Sequence, residues 1–233
     1  MDFSLSDDQQ AIRQAIKELC SRFPDAYWRD LDRNKAYPTD FVKALTEAGW
    51  LGALIPEEYG GGGLGITDAA IILEEINHSG GNAATAHAQM YTMGTLLRHG
   101  SEEQKKAYLP RIASGELRLQ AFGVTEPNAG SETTRIETKA VRTGDRYIVN
   151  GRKIFISRSQ YSDLLLLLAR TTPYDQLTDK SRGLSVFLVD LKKATANGQI
   201  VINPVEVMIN HHTTELVIQD LEVPVENLIG QEG

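Results

Sequence analysis

The chain has 233 residues, enough for one large domain or two modest ones, and its 41% hydrophobic and 24% charged residues are ordinary globular composition. A net charge of −7 and a pI of about 5.3 argue against a broad nucleic-acid or anionic-membrane surface, leaving room for a local basic pocket. The one cysteine, Cys20, excludes an internal disulfide and fits a reducing compartment; it lies on the apolar side of an expected helix, as a packed core thiol.

Residues 1–8 lack the basic region and apolar core of a secretory signal and are too acidic for a transit peptide. The longest apolar run, 164–169, is too short to span a bilayer. A soluble, cytoplasmic protein with no membrane partner is expected; a mature organellar protein stays open. Ser6 and Gln9 form a capping-box pattern ahead of Ile12, Ile16, Leu19 and Phe23 at helical spacing, and Pro24 stops that run. A second helix runs from Thr39 through Phe41, Val42 and Leu45 to Gly49. After a glycine-rich loop, Thr67 is placed to cap a third helix carrying Ile71, Ile72 and Ile76, ended by Gly80 and Gly81. A fourth, over 83–99, ends at Gly100. Ser101 and Gln104 open a short fifth helix that Gly115 closes.

From Arg118 onward the period changes to two, beginning with the alternation over 136–141. Residues 146–149 and 152–156 flank Asn150-Gly151, a dipeptide that predicts a type I′ hairpin turn. Residues 164–169, apolar at every position, predict a strand buried on both faces. Strands over 184–189, 200–205 and 215–218 follow, with a polar, mobile loop at 172–182. Helices first and strands later predict a segregated α+β fold, divided into 1–117 and 118–233.

Several patterns resemble sites and fail on context. Gly60, Gly62 and Gly65 satisfy G-x-G-x-x-G, but no strand precedes them and no acidic residue ends a second strand about 20 residues on. Glu75 and His78 form half of a carboxylate-bridged metal site, without a second copy. His211 and His212 are adjacent, so on a strand they would point to opposite faces, and no metal is expected. Ser131 is not in a nucleophile elbow. It reads either as a turn residue or, with Gly130, as part of an anion-binding loop.

A flavin needs a flat surface, hydrogen-bond donors and a place for its pyrophosphate. Residues 122–125 offer backbone donors and the Thr125 hydroxyl, and 128–131 offer amides. Phe155 and Ser157, two apart on a strand, can meet one ligand. On chemistry alone these remain ordinary strand residues.

The runs Thr125-Glu126-Pro127 with Ala129-Gly130-Ser131, and Asn150-Gly151-x-Lys153 with Phe155-Ile156-Ser157, resemble signatures of the acyl-CoA dehydrogenase family in order and spacing. Residues 55–61, 100–105, 108–110 and 223–230 are similar to further family segments, so the likeness is colinear over essentially the whole chain. The resemblance implies a helical N-terminal domain, a β-barrel-like middle domain and a C-terminal four-helix domain. It implies FAD, with Phe122, Val124 and Thr125 at the isoalloxazine ring, and Gly130 and Ser131 at the pyrophosphate. Phe155, Ile156 and Ser157 would back the ring. Ser131 would also face the acyl-CoA, Ser181 would contact CoA beside Lys180 and Arg182, and residues 87–94 would line the acyl pocket.

The implied reaction is α,β-dehydrogenation of an acyl-CoA thioester, as in fatty-acid β-oxidation, with an electron-transfer flavoprotein as acceptor and a homo-oligomer as the full-length form. Residues 230–233 stand where the C-terminal domain should begin. The chain therefore reads as two thirds of an enzyme, inactive alone and with its catalytic base unassigned; Glu126 reads as structural. A flavin oxidase or monooxygenase of this fold, a non-catalytic partner subunit and a structural fragment stay open. The sequence departs from the family pattern at Asn128, usually Gly, at Phe155, often Trp, at Ser157, commonly Thr, and over 208–214.

Overall fold

A computed structural model describes residues 4–233; Met1, Asp2 and Phe3, part of the stretch read above for targeting signals, lie outside the described residues. The chain divides into two units. One takes the chain up to Gly94 together with Lys106–Glu116, and the other takes Thr95–Lys105 and Leu117–Gly233. Among the described residues no helix is long and apolar enough to cross a membrane.

The first unit is helical: α1 Asp7–Cys20, α2 Asp25–Arg33, α3 Thr39–Glu47, α4 Ile66–His78, and most of α5 Ala84–His99 and α6 Glu102–Ala113. The capping box at the start of α1 forms as the sequence predicts, with Gln9 N–H donating to Ser6 Oγ and Ser6 N–H donating to Gln9 Oε1, both at 3.2 Å. Ile16, Leu19 and Cys20 then join Phe41, Leu45, Ile72 and Ile76 in one apolar core. The helix α2 follows Pro24, where the sequence predicts only a stop. It buries none of its residues fully and is held by aromatic contacts instead. Trp28 meets Phe41 at 4.8 Å between ring centroids, and Phe23 meets Tyr27 at 5.1 Å and Phe41 at 5.2 Å. Thr67 lies inside α4; Gly65 is the cap residue, and its N–H donates to Asp68 at 3.0 Å.

The second unit is built on an eight-stranded sheet: β1 Leu119–Gly123, β2 Lys139–Thr143, β3 Arg146–Ser157, β4 Leu164–Arg170, β5 Leu184–Asp190, β6 Ile200–Pro204, β7 Thr213–Pro224 and β8 Leu228–Ile229, with a short helix, α7 Leu191–Ala196. The strand order is β6-β7-β3-β2-β4-β5-β8, with β1 pairing parallel to β4. This path is not closed, so the expected barrel is an open sheet and the segregated α+β class holds. The apolar run of β4 is buried on both faces except at Leu168. The corner between α5 and α6 counts with this unit. Its Gln104 Nε2 donates to the carbonyls of Glu226 (2.8 Å) and Leu228 (2.9 Å), while its Ser101–Gln104 capping box forms as read.

Asn150-Gly151 is not a hairpin turn. The turn lies six residues earlier, at Gly144-Asp145, where Thr143 pairs with Arg146 across a two-residue connection and Gly144 has φ +63. Asn150 and Gly151 sit inside β3, at a register shift against β7. Glycine is needed at 151 for a different reason: a Cβ there would stand 2.3 Å from Thr138 Oγ1 and 2.7 Å from its Cα. The segment before β2 crosses directly over this point.

Candidate functional site

Close approach at Gly151 brings Thr138 beside the turn that follows β1. Glu126 and Ala129 bridge each other there, with Glu126 N–H donating to the Ala129 carbonyl at 2.9 Å. The Glu126 carboxylate points inward. It accepts from the backbone N–H of Glu137 (2.7 Å) and of Thr138 (2.9 Å), and from Lys153 Nζ (2.8 Å). Lys153 is fully buried, and its ammonium also donates to the Val124 carbonyl at 2.9 Å. Burial raises the Glu126 carboxyl pKa, but the hydrogen bonds from Lys153 and from the Thr138 and Glu137 segment outweigh it and hold the value below the ordinary one. Burial pulls the Lys153 ammonium down to about 8 against the pull of the carboxylate. The Glu126 that the sequence marks as structural is therefore committed on both oxygens.

That pair fixes two strand ends against each other. Ile154 N–H donates to the Thr125 carbonyl at 2.9 Å, so residues 122–125 and 153–157 form one edge. Immediately after Lys153 the β3–β7 register shifts, and Phe155 adopts φ +59 and is 60% exposed. Ser157 is half-buried, as are Phe122, Val124 and Thr125. Ile156 turns the other way: its side chain joins the sheet's core at 2% exposure, and its carbonyl accepts from Thr214 Oγ1 at 2.8 Å. Gly130 and Ser131 follow the Glu126–Ala129 turn and are exposed, with open space beside the Gly130 Cα.

Ser181 is not tied to this edge directly. Its hydroxyl donates to Asp179 at 2.7 Å, and Arg182 lies 3.6 Å from the same carboxylate. Lys180 Nζ donates to the carbonyls of Tyr174 (2.8 Å) and Leu177 (2.7 Å). The loop carrying Ser181 contains one turn of 3-10 helix, Tyr174–Gln176.

The patterns that failed on sequence context have ordinary uses. The amides of Gly62 and Gly63 donate to the carbonyls of Gly52 (3.1 Å) and Ile55 (2.8 Å), folding the glycine loop onto its own unit. Glu75 accepts from Ser79 at 3.2 Å and lies 3.8 Å from Arg13, with His78 at 3.5 Å. No group of three potential ligands is placed to hold a metal among the described residues. His211 and His212 precede β7 instead of lying on a strand. They meet Arg158, which no sequence pattern marks: it is buried at φ +57, its N–H donates to the His212 carbonyl (2.9 Å), and its guanidinium lies 3.4 Å from His211 Nδ1. Burial, Arg158 and His212 lower the His211 pKa.

The residues present fit a flavin: Phe155 is exposed, the Ser157 hydroxyl lies two residues on, and Gly130 and Ser131 are exposed after the Glu126–Ala129 turn, while Glu126 and Lys153 are satisfied within the fold. Residues 6–116 match the family model described as acyl-CoA dehydrogenase, N-terminal domain, and residues 121–221 match acyl-CoA dehydrogenase, middle domain. The short-chain specific acyl-CoA dehydrogenase of Clostridium acetobutylicum is 34% identical over 239 residues, covering 100% of this chain and 60% of that protein. The crystal structure of acyl-CoA dehydrogenase from Geobacillus kaustophilus is similar with a TM-score of 0.88 at 28% identity, covering 100% of this chain and 60% of that one. A chain in a structure of the electron transferring flavoprotein of Acidaminococcus fermentans is similar with a TM-score of 0.85 at 33% identity, at the same coverage. This chain thus spans about 60% of the length of these relatives. Two family domains matched in order along nearly its whole length establish that the chain belongs to the acyl-CoA dehydrogenase family.

Proposed function

We propose that the edge formed by residues 122–125, 130–131 and 155–157 binds FAD, and that the protein carrying this chain performs α,β-dehydrogenation of an acyl-CoA thioester. The helical domain is taken as 1–117 and the middle domain as 118–233. The observation that carries the reading is Phe155. A bulky residue at positive φ costs on the order of 1–3 kcal/mol. Here that conformation leaves Phe155 largely exposed, two residues after Lys153 of a buried ion pair. Such an arrangement is better explained by a flat ligand than by packing.

Bound FAD would supply a two-electron acceptor. The chain's own residues do the rest. Phe155 offers the ring a face, Phe122, Val124 and Thr125 border it, and the Ser157 hydroxyl and Ile156 backbone lie alongside. Gly130 and Ser131 lie at the pyrophosphate, where small exposed residues let backbone amides approach an anion. Ser131 also faces the acyl-CoA, and Ser181 contacts the CoA moiety beside Lys180 and Arg182. Glu126 is committed to Lys153 and two amides, so the α-proton is left to another carboxylate and the isolated 233-residue chain is inactive. The likeness to a chain in the A. fermentans electron transferring flavoprotein structure supports an electron-transfer flavoprotein as acceptor.

An acyl-CoA chain-length panel with an artificial electron acceptor tests this, run with excess FAD on the 233-residue chain and on any longer natural form. Turnover by the longer form alone is expected. Comparable turnover by the short chain would place the base within it, absence of turnover in both would overturn the dehydrogenation reading, and oxygen uptake without an acceptor would mark an oxidase.

A further inference from the structure

The loop between β4 and β5 carries Ser181, and the segment before β2 follows Ser131. They lie far apart in sequence, and a polar loop of this length pays an entropic cost to hold one geometry. One aromatic ring joins them. The guanidinium of Arg135 lies 4.9 Å from the Tyr174 ring centroid, that of Arg170 lies 5.4 Å away, and Lys180 Nζ lies 4.5 Å away. All three fall within the roughly 6 Å at which a cation is attracted by the ring quadrupole.

The three cations come from three places. Arg135 ends the short 3-10 turn Thr133–Arg135, four residues after Ser131, and pairs with Glu132 at 3.0 Å. Arg170 ends β4 and is buried. Its guanidinium donates to the carbonyls of Ile136 (2.9 Å) and Thr134 on one segment and of Thr172 (3.3 Å) on the other. Lys180 immediately precedes Ser181 and donates back to the Tyr174 carbonyl at 2.8 Å. Three like charges brought to one place repel, and Arg135 is paired with the Glu132 carboxylate. The ring lying among them offsets that repulsion.

We propose that Tyr174 is a positioning residue that locks the segments bearing Ser131 and Ser181 into one substrate-facing edge, an inference that rests on the acyl-CoA reading above. The ring also gathers positive charge on the two segments that carry the serines, partly offset by Glu132 and Asp179, and a polyanionic nucleotide handle such as that of coenzyme A would gain from it. Leucine at this position would fill similar space without a quadrupole, whereas phenylalanine keeps the ring and loses only the hydroxyl.

The test follows backbone amide resonances while the 233-residue chain is titrated with coenzyme A, the part common to every acyl-CoA. In the wild type and in Tyr174→Phe, the Ser131 and Ser181 amides should shift along one binding curve. In Tyr174→Leu the apparent affinity read at Ser181 should fall about tenfold with the melting temperature unchanged. If Tyr174→Leu does not fold, Arg135→Gln removes one cation from the ring and should weaken the common curve about threefold. Wild-type affinity in Tyr174→Leu or, failing that variant, in Arg135→Gln overturns the clamp alone. So does an equal loss in Tyr174→Phe, which would assign the effect to the hydroxyl. A wild-type chain whose amides respond at neither serine overturns the acyl-CoA reading and the clamp with it.

Discussion

The two units handle buried polar groups in opposite ways. In the helical unit the interior is mostly apolar: Ile16, Phe41, Leu45, Ile72 and Ile76 fill it, its buried Thr85, Gln89 and Thr92 are uncharged, and the buried Glu75 meets Arg13 and His78, two side chains that remain 40% and 77% exposed. In the sheet unit an ammonium and a carboxylate are enclosed together, with Lys153 at 0% and Glu126 at 6% exposure. Removing charges from water is costly, and the return is stability only when every remaining donor and acceptor is matched. Here the matching is complete enough to hold two strand ends and a turn in register beneath an exposed ring. The contrast teaches where position, not packing, governs the local design: the helical unit is specified mainly by volume, and the edge around Phe155 in the sheet unit by a polar network.

The largest expected effect comes from breaking that network on one side. Lys153→Met leaves a buried carboxylate without its counter-ion and should destabilise the chain by about 3–5 kcal/mol in urea denaturation, with partial recovery when Glu126→Gln is added. Equal loss in the single and double variants would mean that lysine packing, not charge, is what matters.

A second, smaller break acts on the approach that positions Thr138. Gly151→Val should cost on the order of 1–3 kcal/mol through overpacking against Thr138, read as a lower urea midpoint. The paired variant Gly151→Val/Thr138→Gly should recover part of the loss, because the atoms that the new side chain meets nearest belong to the Thr138 side chain. No recovery would indicate that strain in the strand itself dominates.

Much of the fold was legible because its signals are local. Both capping boxes, the glycine-ended helices and the twice-buried β4 follow from residues within a few positions of one another. The misreadings came where distant residues decide. Asn150-Gly151 is a turn signal by composition, yet the need at 151 is set by Thr138, which crosses from outside the strand. The helix α2 is invisible in its own apolar pattern because its anchors, Tyr27 and Trp28, pack on Phe23 and Phe41 around it. At the candidate site, order and spacing singled out two segments, 122–125 and 155–157, that the fold brings side by side. They could not tell that Ile156 faces the core while Phe155 leaves the strand's alternation through a bulge, since alternation assumes an unbroken ladder. Tyr174 and Arg158 carried no sequence signal, because their partners lie on other strands and loops.

The smallest effect is a pH dependence, and it sharpens the same comparison. Glu126 has a folded pKa below its ordinary value, so its stabilisation is present above that value and is lost as pH falls through the folded one. Lys153 titrates near 8 when folded against 10.5 ordinarily, so the folded state binds its proton less well and stability from this group rises with pH between those values. Glu126→Gln should flatten the acid limb of a urea-midpoint profile relative to wild type, and Lys153→Met should flatten the limb above 8. Profiles unchanged by either variant would remove the pair from the account.

The central claim is that the edge around Phe155 is a flavin surface. The most direct test is a titration of the 233-residue chain with FAD, read at backbone amides, with gel filtration of the mixture alongside. The account predicts shifts confined to residues 122–125, 130–131 and 155–157, their loss in Phe155→Ala, and binding too weak to leave a stoichiometric yellow protein after the column. A stoichiometric yellow protein would contradict the weak-binding expectation. Shifts located elsewhere, or none at these segments at saturating FAD, would contradict the claim itself.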